Sequence, residues 1–110
     1  MSFFKSDLVQ QELEKISQLQ EEIYTKIYMF SNMNKEDKLH HVELLEELLN
    51  KQRILYTRMS LSDDPEAKKM KENIIEQAQM LGFPPGTDIA YVFGNMTKII
   101  ENMKNSIRDT

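Results

Sequence analysis

The chain has 110 residues, 40% of them hydrophobic and 29% charged, with a net charge of −4 and no cysteine. That length suits one domain, the composition is too apolar for a disordered chain, and without cysteine neither a disulfide framework nor a thiolate metal site can form. Residues 1–61 carry eight basic against ten acidic side chains and residues 62–110 six against eight, so no basic half exists to hold a phosphate backbone.

The opening stretch, Met1 to Asp7, lacks the basic leader and long apolar core of a secretory signal. No apolar run approaches the roughly 20 residues of a membrane span. A soluble, cytoplasmic protein with no membrane partner is expected. Ser6 can cap a first helix, and Asp7 places negative charge in its first turn. Phe3 and Phe4, just before it, are expected to fold back onto their own bundle.

From there one seam runs through Val9, Leu13, Ile16, Gln20, Ile23, Ile27 and Phe30 in alternating steps of four and three. That is the spacing of a single face of an α-helix, about 35 Å long, and the later helices are expected to fold back over it. Ser31-Asn32-Met33-Asn34 supplies a turn, with Asn34 as the next cap. A second helix carries Leu39, Val42, Leu45, Leu49, Gln52, Tyr56 and Met59, widened by Leu44, Leu48 and Leu55. A face so broad touches more than one neighbour, as in a bundle.

Asp64-Pro65-Glu66 is a helix start, with a cap, a proline at the first helical position and an acid facing the dipole. The third helix uses Ala67, Met70, Ile74, Ala78 and Leu81. Gly82 then offers a left-handed cap, with Phe83 packing back near Ala78. Pro84-Pro85-Gly86 prevents continuation, and Thr87 or Asp88 opens a fourth helix with Ile89, Phe93, Met96, Ile100, Met103 and Ile107 on one stripe. Gly94 inside it should cost about 1 kcal/mol against alanine, which a close helix crossing would explain.

The expected fold class is all-α: a single helical domain over residues 1–110, with helices at about 6–30, 35–60, 65–81 and 88–107. A long antiparallel hairpin is packed by a shorter helix pair in a bundle. In up-down order the shorter helices would start where the second helix ends and stop short of the turn at 31–34. That would leave Ile23, Tyr24, Ile27, Phe30, Leu39 and Val42 partly uncovered at the hairpin tip. One exposed apolar patch of this kind marks a contact surface, here for self-association.

Other constellations are weaker. Asp37 and His40, three apart, resemble half of a carboxylate-histidine metal motif, but no second such pair exists in the chain. Gln20 and Gln52 interrupt their stripes and read as seam-edge residues reaching water. Lys51, Arg53, Tyr56 and Arg58 form a short basic segment, weak support for nucleic acid in an acidic chain. Gly82-Phe83-Pro84-Pro85-Gly86 has no Lys-Ser/Thr and follows no strand, so it is a connector rather than a phosphate cradle. The methionines fill core gaps.

Met1-Ser2-Phe3-Phe4, Val9-Gln10-x-Glu12, Leu61-Ser62-x-Asp64 and Met96…Ile100-Glu101-x-Met103-Lys104 resemble a family of small helical proteins of unknown function found in cyanobacteria and their phages. The resemblance covers most of the chain and implies a cytoplasmic, host-directed or housekeeping interaction protein. It carries over no activity and no functional residue.

The expected function is therefore a non-enzymatic interaction or adaptor protein. It would self-associate into a homo-oligomer through an exposed apolar helix face, with another protein as a further partner and no cofactor. The alternatives are a small regulator contacting nucleic acid through the Lys51–Arg58 face, and a metal-dependent helical enzyme using Asp37 and His40. Exchange of the last two helices between two chains, across the 61–64 hinge, is a further arrangement the pattern allows.

Overall fold

Three helix starts are set by short polar side chains. Asn34 Oδ1 accepts the Asp37 amide at 2.8 Å, Asp64 Oδ1 the Glu66 amide at 3.1 Å, and Asp88 Oδ1 the Ala90 amide at 3.0 Å. Each bond satisfies a donor that a helix N-terminus leaves free. The computed structural model describes residues 3–109; Met1 and Ser2, part of the opening motif, and Thr110 lie outside the described residues. A short 3-10 turn, Phe3–Lys5, leads into α1 (Asp7–Lys26), followed by a 3-10 segment (Ile27–Asn32), α2 (Lys35–Leu61), α3 (Pro65–Met80) and α4 (Ile89–Arg108). Among the described residues there is no strand, and the helices pack against one another.

The first helix is shorter than its seam. At Ile27 the coil tightens to 3-10 geometry for six residues before Met33, whose amide donates to the Phe30 carbonyl at 3.1 Å. Such tightening is common where a helix runs out of partners for its last carbonyls. Ser6 occupies the cap position of α1 without a side-chain hydrogen bond. Phe3 and Phe4, edge to face at 5.1 Å, pack against buried Val9, Ile16 and Leu55. The Phe3 amide donates to the Asp64 carboxylate, tying the chain start to the cap of α3.

The centre of the bundle is α2, not α1. The second helix packs against α1, α3 and α4, whereas α1 and α4 make no extensive contact with each other among the described residues. The reason is the width of the apolar arc on α2, which buries Val42, Leu44, Leu49, Leu55 and Met59; α1 buries Val9, Ile16 and Ile23. A narrow seam has one neighbour, and a broad one can serve several.

The expected stopping point of α4 also proves wrong. Phe93 lies beside Tyr56 with ring centroids 5.9 Å apart, Ile100 packs with Leu49, and Lys104 Nζ reaches Glu46 Oε2 at 3.0 Å. Moving forward on α4 is thus moving back along α2, an antiparallel register that ends with Ile107 against Phe30 and Val42. There Lys35 Nζ donates to the Arg108 carbonyl at 2.8 Å. Twenty residues span about 30 Å, enough to run from Tyr56 to the hairpin tip once α4 begins beside the end of α2. The 81–88 connector returns the chain there, turned by Gly82 at φ 105° and closed by the Phe83 amide on the Ala78 carbonyl at 3.1 Å. Of α3 only Ala67 is fully buried; Ile74, Ile75 and Ala78 are half-buried, and Met80 and Leu81 at its far end are exposed.

Gly94 does not mark a helix crossing. A Cβ built there meets nothing within 4 Å, and its φ is not positive. Gly94→Ala should therefore stabilise the fold by about 1 kcal/mol, as the helix propensities dictate. The check is a melting temperature several degrees higher; an unchanged or lower one would mean that position 94 is sterically restricted after all.

Candidate functional site

The tip of the α1–α2 hairpin is built by the 3-10 segment and the last turn of α1, laid over the start of α2. Its inner side is covered: Ile23 is 4% exposed and Val42 0%. Phe30 and Leu39 are half-buried, Phe30 lying on the Val42–Leu49–Ile100 cluster and 5.4 Å from the His41 ring. Ile23 and Val42 are thus core residues, Val42 because α4 reaches it with Ile100 and Ile107. The outer side is bare. Tyr24 is 66% exposed, Ile27 48%, Tyr28 91% and Met29 55%.

Tyr24, Ile27 and Tyr28 stand three and four apart, so they share one side of the chain as it leaves α1. Of the six residues expected to be partly uncovered at the tip, Tyr24 and Ile27 are exposed, Phe30 and Leu39 half-buried, and Ile23 and Val42 buried; Tyr28 and Met29 are exposed beside them. Sequence reasoning followed the seam and passed over Tyr28. Its signal was the four-residue step from Tyr24, an aromatic pair off the core stripe.

Beneath the tip, Lys26, Met29, Asn34, Asp37, His40 and His41 line a cavity of about 610 Å³. The two histidines differ sharply. His40 is exposed, whereas His41 is 3% exposed and its Nδ1 has no hydrogen-bond partner. Burial, then the nearby Lys26 and His40 charges, hold the His41 pKa below its ordinary value. Lys26 itself pairs with Glu22 at 3.2 Å. Among the described residues no three of His, Asp or Glu are placed to hold a metal ion together. The structure therefore gives Asp37 and His40 no third ligand.

The basic segment of α2 does not form a single face. Arg58 turns toward α1, Nη1 3.8 Å from Glu12 Oε1, while Tyr56 is half-buried against Phe93. Arg53 is exposed and Lys51 half-buried. Four residues that adjoin in sequence are thus spread between two sides of α2. Gln20 and Gln52 are both half-buried, at the edges of their stripes. No described helix is long and apolar enough to cross a membrane.

Comparison with curated proteins finds no match, and comparison with solved structures finds none either. The family described as a domain of unknown function, DUF1825, matches residues 1–107, nearly the whole chain. A single family thus covers all four helices and the tip described above, and the chain belongs to it.

Proposed function

We propose that this protein is a non-enzymatic helical interaction protein whose first partner is a second copy of itself, engaged through the outer face of the hairpin tip. The observation that carries the reading is the bare aromatic and aliphatic stretch Tyr24, Ile27, Tyr28 and Met29 on a helix-ended turn whose inner side is already packed. Tyrosine supplies large contact area with little side-chain entropy to lose, and apolar surface in one patch gains most from exclusion of water. A twofold pairing suits a patch that is the same on both partners. Adaptor contacts with another protein would use the same face.

The test is sedimentation of the chain at micromolar concentration beside Ile27→Glu, whose exposed site tolerates the new charge without loss of fold. The wild-type chain is expected to sediment as a dimer and the variant as a monomer with an unchanged helical spectrum. A wild-type monomer, or a variant that still pairs, overturns the reading.

A further inference from the structure

At the end of the molecule opposite the tip, α2, α3 and the first turns of α4 enclose a cleft of about 490 Å³. Its volume lies within the range usual for small-molecule sites, roughly 300–1,000 Å³. Arg53 enters from α2 and Lys71 from α3, and among the described residues neither has an ion pair. Asp88 also borders the cleft, but its carboxylate caps α4 by accepting the Ala90 amide. Two cations from different helices, against one carboxylate occupied at a helix start, make a locally positive recess on a chain of net charge −4.

The other lining groups are flat and apolar. Tyr56 and Phe93, tilted by 54° to each other, contribute ring surface to the cleft. Gly94 belongs to the same lining, and a Cβ there would meet only open space. Helix packing therefore gives no reason for glycine at a position where alanine is favoured by about 1 kcal/mol. What glycine does provide is room, allowing a bound group to approach the backbone of α4 closely.

We propose that this cleft binds a small anion carried on a flat ring, an aryl or heteroaryl phosphate or carboxylate. Arg53 and Lys71 hold the anion, the edges of Tyr56 and Phe93 contact the ring, and Gly94 leaves space for it. Arginine suits the anion because its planar guanidinium offers paired donors, and lysine adds a point charge from the opposite wall. A long polyanion is disfavoured on a chain whose net charge is −4. This site is separate from the hairpin tip and does not depend on self-association.

The experiment follows backbone amide resonances of the full chain during titration with phenyl phosphate, inorganic phosphate and phenol. Phenyl phosphate is expected to shift the Gly94 and Lys71 amides in a saturable, one-to-one manner, while phosphate alone and phenol alone each bind at least roughly tenfold more weakly. Arg53→Ala and Lys71→Ala should each weaken binding by about tenfold or more. Gly94→Ala should weaken it comparably while melting higher than wild type, a combination that misfolding cannot produce. The proposal is overturned if phenyl phosphate shifts no cleft resonance at millimolar concentration, or if Gly94→Ala binds as wild type does. It is also overturned if phosphate alone binds equally well, since the rings would then contribute nothing.

Discussion

Leu49→Ala is expected to be among the most damaging single truncations in the chain, costing about 2–5 kcal/mol. Leu49 is buried with Val42 and Ile100, and Phe30, Leu45, Phe93, Met103 and Ile107 pack around that cluster. Removing its side chain opens a cavity at the seam between α2 and α4 and also weakens the support of the tip. For a domain of this size each kcal/mol corresponds to a few degrees in melting temperature, so the loss should be about 10–25 °C. Leu61→Ala provides the comparison: Leu61 ends α2 in solvent, and its truncation should change stability by no more than about 0.5 kcal/mol. Equal effects from the two truncations would show that the α2–α4 seam is not where the stability lies.

The second large effect is a dependence of stability on pH centred on His41. The side chain is buried at the hairpin tip, and no carboxylate is among the groups that shift its pKa. Lys26 faces it from α1, Phe30 covers it from the 3-10 segment, and His40 and Asp37 flank it on α2. On α4 near the tip, Lys104 pairs with Glu46, and the Arg108 backbone carbonyl accepts from Lys35. The folded chain therefore holds His41 neutral, with its pKa below the ordinary 6.5. The unfolded chain binds the proton first. Stability is full above pH 6.5, falls as the pH drops through that value, and levels off below the folded pKa.

One proton limits this slope to about 1.4 kcal/mol per pH unit. His41→Phe, which keeps a ring against Phe30, should flatten it, whereas His40→Ala should reduce it only slightly, because the His40 charge is the smallest of the named causes and burial remains. Denaturant melts of the three proteins across this pH range make the comparison. A slope that survives in His41→Phe would assign the acid sensitivity to the carboxylates instead.

Local chemistry was the readable part of the sequence. Asn34, Asp64-Pro65 and Asp88 announce their helices because a cap is a bond between near neighbours, and Gly82 announces a stop because its left-handed backbone is a local requirement. The stripes identified the sides that become buried, and the four-helix fold followed from them. What they could not convey is which surface covers which. Leu49 reads the same whether it meets α1 or α4, and the direction taken by the 81–88 connector is not written in any periodicity. The start of α4 beside the end of α2 was expected; how far back along α2 the last turns of α4 reach decides whether Val42 is bare or sealed. Ile23 and Val42, expected to be partly uncovered, therefore face the core, while Tyr28, off the seam, is the most exposed aromatic residue of the tip. The cleft around Gly94 was legible only as an anomaly, a glycine where a helix former would serve better, and its cause was assigned to a crossing that is not there.

The position of α2 between its neighbours limits how the chain can change in length. One residue added in the middle of α2 would rotate everything beyond it by about 100°, misaligning its contacts with α1, α3 and α4 together. The same residue added in the 81–88 connector would lengthen only an exposed loop past the end of α3. Insertions and deletions should therefore gather between α3 and α4, whereas α2 keeps the length at which its turns were first set against their partners.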